Sequence, residues 1–172
     1  MKFFLSFFTI FLFFLNPANS EQKIVFVDMD KVISKSNSGS SIFKQLKSIN
    51  NKNLTLLKKE EEKFKIKETK LISQKNIISE IDFKAKVDEL RSEIDNYNQN
   101  RKKINMDFNN LKINNTNKLL TLINPILTKF STDNEISIIL QKKDLIIGKT
   151  ELDITNKIIK IVNDEIKEFK VK

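Results

Sequence analysis

The residue types needed for covalent or metal chemistry are scarce in this sequence. It contains no His and no Cys, which removes imidazole acid–base catalysis, thiol nucleophiles and the usual zinc ligands. No Ser lies in a nucleophile-elbow motif, and the sequence has no Gly-rich phosphate-binding loop. Glu60, Glu61 and Glu62 could hold a divalent cation, but consecutive side chains of a helix point in different directions. We therefore predict no enzyme activity, no cofactor and no bound metal.

Basic side chains offer a different chemistry, the attraction of an acidic partner. The sequence carries 31 Lys and Arg against 22 Asp and Glu, a formal net charge of +9. Such a surface favours nucleic acid, anionic lipid or acidic protein. The competing interpretation is a solvated helix face, because Glu60–Glu62 and Glu68 lie among the same lysines. The candidate basic surface consists of Lys58, Lys59, Lys63, Arg101, Lys102 and Lys103.

A secretory signal peptide is predicted at residues 1–20. Lys2 gives a positive start, Phe3–Leu15 is almost wholly apolar, and a helix-breaking Pro with small residues follows. Cleavage after Ser20 would start the mature chain at Glu21. An uncleaved membrane anchor is the alternative, but the apolar run is shorter than the ~18 to 20 residues that a span needs. We therefore expect an exported, soluble protein. Export and the lack of an aromatic platform both argue against a nucleic-acid partner.

The elements that would carry the basic side chains are long helices. Apolar residues from Phe83 to Leu111 are spaced alternately by four and three residues, and only Arg101 breaks the series. Such a heptad series gives a helix one apolar stripe that needs a partner. In the preceding segment one apolar residue recurs per heptad, while Glu61 and Glu68 occupy companion positions. The predicted arm seam consists of Leu57, Phe64, Leu71, Phe83, Val87, Leu90, Ile94, Tyr97, Ile104, Phe108 and Leu111.

A reversal of the chain is predicted between the two helical segments. Ser79 followed by Asp82 resembles a capping box, and Ile78 with Phe83 forms the apolar pair of a hydrophobic staple. One helix, over 42–78, therefore ends and another begins directly after Ser79, which makes an antiparallel hairpin. A single continuous helix through Ser79 is the alternative. Each limb of the hairpin would be roughly 45 to 60 Å long at 1.5 Å per residue.

The N-terminal segment of the mature chain predicts a strand and a turn. Lys23–Asp28 is apolar on both faces, which is typical of a central strand. Residues 34–41 predict a turn, in which Ser40 or Ser41 caps the next helix by accepting from its free backbone N–H groups.

The C-terminal part predicts two more strands and a last helix. Asn124–Pro125 predicts a kink or restart in the second long helix. Glu135–Leu140 and Leu145–Ile147 predict strands, and Thr150 with Asp153 is expected to cap the last helix. The apolar face of that helix comprises Ile154, Ile158, Ile161, Val162, Ile166 and Phe169.

These elements predict an α+β fold, mostly α, with a helical hairpin arm projecting from a small β body. The arm is assigned to 50–130 with its tip near 76–83, and the body to 21–49 and 131–172. Three short strands and one helix cannot bury enough apolar surface in a single chain. We therefore expect an oligomer whose subunits share the β body. The predicted oligomerisation core consists of Ile24, Phe26, Ile138, Leu140 and Ile146.

Three passages of the sequence resemble the Skp (OmpH-like) family of periplasmic chaperones. Residues 23–33 are similar to the opening strand of the family, and Gly39 lies where its following turn has a glycine. Residues 138–147 resemble the paired late strands, and 152–155 with the following helix resemble the closing Asp-Ile-Thr motif. The resemblance covers the mature chain from about Lys23 to Lys167.

The resemblance implies a periplasmic homotrimer, with a β body on the three-fold axis and three arms around a cavity. Members of the family are ATP-independent holdases that keep unfolded outer-membrane proteins soluble before membrane insertion. Family members have also been linked to lipopolysaccharide, so an anionic lipid or lipopolysaccharide is a further expected partner. A structural coiled-coil spacer or adaptor of the cell envelope is the alternative function.

Overall fold

The computed structural model describes residues 22–167 and 169–171; the predicted signal peptide lies outside these described residues. The chain is mostly helical, as predicted, with two short strands that belong to one sheet. In chain order the elements are β1 (Lys23–Val27), α1 (Met29–Lys35), α2 (Asn37–Gln74), α3 (Glu80–Asp133), β2 (Ile136–Gln141) and α4 (Thr155–Glu165).

The two long helices form the predicted hairpin arm. Helices α2 and α3 contain 38 and 54 residues, and the chain reverses in the turn between them. Ser79 caps α3: its Oγ accepts from the backbone N–H of Asp82 at 3.1 Å and donates to the Asp82 carboxylate at 2.7 Å. The alternative of one continuous helix through Ser79 is therefore wrong. Ser is among the residues preferred at a helix N-cap. The reversal of the chain therefore depends on only a few residues around Ser79.

Helix α3 continues through Pro125, so the helix does not restart at Asn124–Pro125, and of the two predicted outcomes only the kink stays a prediction. Pro lacks the N–H that would donate to the carbonyl of the preceding turn, which normally weakens a helix. Ile123 and Ile126, on either side of Pro125, are both buried in the core of the body. Packing on both sides of the proline holds the helix in one piece.

The segment predicted as a turn at 34–41 is helical on both sides of a single residue, Ser36. The Ser36 Oγ accepts from the backbone N–H of Gly39 at 3.2 Å, so Ser36, and not Ser40 or Ser41, caps α2. Helix α1 therefore leads directly into α2. A methyl group on Gly39 would lie 1.5 Å from the carbonyl oxygen of Ile33, so only glycine allows this close approach.

The sheet consists of β1 and β2 in parallel. Lys23 pairs with Ile136 and Ile24 pairs with Ile138, so Ser137 is an extra residue that forms a bulge. The bulge turns Ile136 toward the core and leaves Ile138 exposed. One face of the sheet therefore packs on the helices, and the other face presents apolar side chains outward.

The predicted third strand at Leu145–Ile147 is wrong. This segment is a loop between two 3-10 turns, and the side chains of Ile146 and Ile147 are almost fully exposed. The second edge of β1 is occupied instead by the chain before α4, where the Ile154 N–H donates to the Phe26 carbonyl at 2.9 Å.

The core of the body lies where the sheet, α1 and α4 meet the ends of α2 and α3 that are farthest from the tip of the hairpin. Its fully buried members include Val32, Leu119, Ile123, Ile158 and Val162. The predicted cap of the last helix is wrong, since Thr150 lies in a 3-10 turn. The apolar face predicted for this helix packs inward: Ile154, Ile158, Val162 and Phe169 are buried, and Ile161 and Ile166 pack against the core.

The C-terminal segment is held on α2 by the side-chain amide of Gln45. Its Nε2 donates to the carbonyl of Phe169 at 2.8 Å, and its Oε1 accepts from the N–H of Val171 at 3.1 Å. Phe169 is buried against the core. The segment after α4 thereby ties that helix to the N-terminal part of α2.

Candidate functional site

The arm is joined along its length by side chains that are mostly but not completely covered. Phe64 and Tyr97 form its central contact, an edge-to-face pair with ring centroids 5.4 Å apart. Among the predicted seam residues Leu57 is buried. The ten others are of intermediate exposure: Phe64, Leu71, Phe83, Val87, Leu90, Ile94, Tyr97, Ile104, Phe108 and Leu111. The two limbs therefore touch along one stripe without closing over it.

A polar cluster explains the one break in the heptad series. Arg101 of α3 lies opposite Glu61 of α2, with its Nη1 3.7 Å from Glu61 Oε1. The Tyr97 hydroxyl donates to the same carboxylate oxygen at 2.7 Å. Desolvation of the phenol, together with the neighbouring Glu61, raises the pKa of Tyr97, so its hydroxyl remains a donor at neutral pH. Glu61, which interrupts the apolar stripe of α2, thus faces Arg101, which interrupts the apolar stripe of α3.

The predicted basic surface has members on both helices: Lys58, Lys59 and Lys63 lie on α2, and Arg101, Lys102 and Lys103 lie on α3. The structure brings these two groups to the same level of the arm. Tyr97 and Arg101 reach α2 at Glu61, close in sequence to Lys58, Lys59 and Lys63. Two members of the set are paired with acidic residues: Lys63 with Glu60 at 2.6 Å, and Arg101 with Glu61. The members that remain exposed outside the ion pairs found among the described residues are Lys58, Lys59, Lys102 and Lys103.

The three consecutive glutamates do not form a cation site. Glu60 pairs with Lys63, Glu61 accepts from Tyr97, and Glu62 pairs with Lys65 at 3.2 Å. Each carboxylate therefore has a different partner, as the geometry of a helix requires. Over 22–167 and 169–171, no group of three or more His, Cys, Asp or Glu side chains could hold a metal ion.

Large apolar side chains outside the seam are exposed along the arm, which the heptad pattern did not identify. The pattern follows one stripe, whereas these residues lie on the other faces of the helices. The sequence signal that could have identified these residues is their apolar character at positions outside the heptad series. The set comprises Leu54, Leu56, Ile66, Ile72, Ile77, Ile81, Met106, Ile113 and Leu122.

The outer face of the sheet is a second exposed apolar surface. Ile24, Ile138 and Leu140 are each about two-fifths exposed, and Ile146 is fully exposed in the adjacent loop. Phe26 differs from these four, since it is only 6% exposed within its own chain. The Lys142 ammonium lies 5.7 Å from the centroid of its ring, and Gly148 lies against the ring edge.

Comparison with known proteins identifies the architecture. The family model described as outer membrane protein (OmpH-like) matches residues 23–162. The chain belongs to the OmpH-like family. A solved structure with the same fold comes from Caulobacter crescentus and is described as a candidate outer membrane chaperone (OmpH-like). The two chains share 13% identity with a TM-score of 0.73, over 87% of this chain and 88% of that one. Among curated proteins there is no significant sequence match.

The OmpH-like family is not a family of enzymes, which agrees with the predicted lack of a catalytic site. In the part of this OmpH-like chain that the structure describes, no helix has both the length and the apolar character needed to cross a bilayer.

The Asp-Ile-Thr motif of this OmpH-like chain clasps the end of β1 to the start of α4. Ile154 donates to the Phe26 carbonyl and buries its side chain, and the Thr155 Oγ accepts from the Asp28 N–H at 2.9 Å. The Asp153 carboxylate accepts from the Thr155 N–H at 2.9 Å and from Lys142 at 2.8 Å. Sequence reasoning missed this pairing, because the partners meet only in the folded body.

The clasp makes the stability of the body depend on pH. Burial alone would raise the pKa of Asp153, but hydrogen bonds from Lys142 and from the hydroxyl and N–H of Thr155 outweigh it and lower this pKa to about 2. Because the folded pKa lies below the usual value of 3.8, the charged carboxylate stabilises the fold above about pH 4. That contribution is lost as the pH falls toward about 2.

We expect Asp153→Asn to destabilise the protein by about 1 kcal/mol at neutral pH, a modest value because solvent screens the Lys142 end of the pair. Urea unfolding of the variant and the wild type, at one protein concentration, should show this difference shrinking between about pH 4 and about pH 2. The control is Asp88→Asn, whose carboxylate makes an exposed ion pair with Arg91 on the arm. A difference that stays constant over this pH range would contradict the assignment.

Proposed function

We propose that this protein is an ATP-independent holdase of the periplasm. It would bind unfolded outer-membrane proteins between its arms and prevent their aggregation before membrane insertion. Membership in the OmpH-like family supports a chaperone role in general, as does the fold shared with the Caulobacter crescentus protein. The predicted signal peptide supports the compartment.

The observation that carries the proposal is the incompletely covered arm. Apart from Leu57, every seam side chain remains partly exposed, and nine large apolar residues are exposed on the other faces. A holdase needs apolar surface that is accessible but divided among charged residues, so that clients bind without the chaperone aggregating. The arm provides this arrangement over a length of roughly 40 Å at 1.5 Å per residue.

The charge of the arm suits an acidic client. Lys58, Lys59, Lys102 and Lys103 are exposed at one level of the arm, on a chain with a formal net charge of +9. Long-range attraction of this kind raises the rate of encounter with an acidic chain and weakens as salt increases. The same basic surface could take anionic lipid or lipopolysaccharide as a second partner, since both present phosphate groups.

The exposed face of the sheet supports assembly into a homotrimer. A parallel sheet of two strands is normally covered on both faces, yet Ile24, Ile138 and Leu140 are exposed in a single chain. Together with Ile146 they would form the core of the body shared by the subunits. Phe26 would support that core from within its own chain, since it is already buried there.

A structural coiled-coil spacer or adaptor of the cell envelope is the alternative. A spacer needs well-filled seams on both limbs to remain straight. Here α2 places Glu61 between the apolar seam residues Leu57 and Phe64, where it pairs with Arg101. The partly charged seam favours a bendable arm over a rigid rod.

The test is aggregation of a urea-denatured outer-membrane barrel protein on dilution, followed by light scattering. Purified mature protein, without ATP and at one trimer per client, should suppress the aggregation at low salt and less strongly at high salt. A client of similar size with a strongly basic net charge serves as the control and should be protected less. No suppression at low salt would rule out the holdase function and favour the spacer.

A further inference from the structure

The last residues that the structure describes, 169–171, occupy a site on the N-terminal part of α2 and are called the tail here. The Gln45 Nε2 donates to the Phe169 carbonyl at 2.8 Å, and the Gln45 Oε1 accepts from the Val171 N–H at 3.1 Å. The Ser41 hydroxyl also donates to the Phe169 carbonyl, at 3.3 Å. All three hydrogen bonds go to the backbone of the tail, so this polar part of the site is independent of the side chains that the tail carries.

The apolar part of the site takes alternate side chains of the tail. Phe169 is only 6% exposed and belongs to the buried cluster that also contains Ile42 and Leu46 of α2. Val171 packs against the same cluster, whereas Lys170 between them is exposed. The site therefore suits a segment in which an aromatic residue, a polar residue and an aliphatic residue follow one another.

The pairing with Gln45 is one that an extended chain offers. In such a chain the C=O of one residue and the N–H two residues later point to the same side, as do the side chains of these two residues. A helix uses its C=O and N–H groups internally, and in a closed barrel each strand has paired them with its neighbours. The site therefore distinguishes an unfolded chain from a folded one.

We propose that this site binds extended segments of an unfolded barrel protein, and that the tail occupies it as an internal competitor until such a segment displaces it. The inference rests on the proposed holdase function and assigns one contact with the client. Strands of membrane barrels alternate apolar and polar residues with a period of two, which is the order of Phe169, Lys170 and Val171. Once these strands close into a barrel, their backbone groups no longer pair with Gln45, so a folded client is not retained.

Helix α4 holds the tail beside the site. The side chain of Asn163, in α4, accepts from the Asn37 N–H at the start of α2, at 2.7 Å. A segment tethered so closely competes at an effective concentration on the order of millimolar. One short external segment is therefore bound weakly, whereas an unfolded barrel protein offers many such segments and displaces the tail. Without a client, the tail keeps the apolar part of the site covered.

The experiment is fluorescence polarisation of a labelled peptide, Gly-Ser-Phe-Lys-Val-Thr-Ser, titrated with the purified mature protein. Phe169→Ser removes the ring that anchors the tail and leaves Ser41 and Gln45 in place. This variant should bind the peptide about tenfold more tightly than the wild type, because the competitor is weakened. Circular dichroism checks its fold.

Val171→Pro releases the tail in a second way that keeps the Phe169 ring in the core. It removes the N–H that donates to Gln45 and should tighten peptide binding about threefold or more. The control peptide, Gly-Ser-Phe-Val-Lys-Thr-Ser, has the same composition and charge but places its two apolar residues side by side. It should bind either variant about tenfold less tightly than the first peptide, because only one of its apolar side chains reaches the site.

Gln45→Leu, added to Phe169→Ser, tests the amide itself. Peptide affinity should fall about tenfold or more, because two hydrogen bonds to the peptide backbone are lost. Gln74→Leu in the same background is the matched control, since Gln74 lies on the same helix, is also partly exposed and accepts from Lys86 far from the site. It should leave the affinity unchanged. Equal loss in both, or equal affinity of the wild type and the tail variants, would overturn the proposal.

The outcome is independent of the aggregation assay, because the peptide stays in solution on its own. Discrimination between the two peptides without suppression of barrel aggregation would refute the holdase function and keep the site. Suppression of aggregation without discrimination between the peptides would keep the holdase function and overturn the site.

Discussion

Replacing Gly39 with Ala should unfold the body of this OmpH-like protein. The added methyl group would lie 1.5 Å from the carbonyl oxygen of Ile33 and 2.7 Å from its carbonyl carbon. Both atoms belong to the backbone of α1, so no side-chain rotation can relieve the overlap. Either the two helices separate or the cap at Ser36 is lost, and we expect a destabilisation of about 3 kcal/mol or more.

The measurement is urea unfolding followed by circular dichroism at one fixed protein concentration, because assembly makes apparent stability depend on concentration. Gly148→Ala is the matched control, since the chain has only two glycines. There the added methyl group would lie 2.7 Å from an edge atom of the Phe26 ring, and a side chain can shift more easily than a backbone. We expect a loss of about 1 kcal/mol. A Gly39 variant as stable as the wild type would show that the α1–α2 approach is not as close as described.

Charging the outer face of the sheet should convert the proposed trimer into separate chains. Ile138→Lys with Leu140→Lys places two ammonium groups per subunit in the proposed shared core, where neither has an acidic partner on the same strand. Burying unpaired charges costs several kcal/mol, so subunit affinity should fall at least about 100-fold. Light scattering coupled to size exclusion should then give the mass of one chain.

Ile66→Lys with Ile113→Lys is the control, because it adds the same charge to exposed positions of the arm. This variant should keep the mass of three chains. The body variant should also lose aggregation suppression, since a single arm encloses no cavity. A body variant with unchanged mass would show that the subunits associate through another surface and would remove Ile138 and Leu140 from the oligomerisation core.

Local signals were sufficient to predict the hairpin and both strands. Ser79 has the residue type and spacing of a cap, so the start of α3 depends on a few neighbouring residues. Val25 and Val27 face the core from β1, as an apolar run between polar flanks predicts. Such features need no knowledge of distant parts of the chain.

Features that depend on distant residues were predicted wrongly or missed. Leu145–Ile147 has the composition of a strand but is a loop, and the contact beside Phe26 is made instead by the chain before α4. The pairing of Lys142 with Asp153 was missed, because it depends on how the loop between them folds back. Gln45 carried no signal at all, because its role is to hold a segment far along the chain.

The amino-acid sequence by itself determined the class of protein and the plan of the arm. The absence of His and Cys excludes classes of chemistry by composition alone. The heptad series and the capping residues act through contacts within a few residues. Tertiary structure decided which apolar residues are covered. Phe26 is buried by its own chain, Ile138 is turned outward by the bulge at Ser137, and Ile77 protrudes at the tip. The physical reason is that burial depends on what packs against a side chain, and this is decided by elements that lie far apart in the sequence.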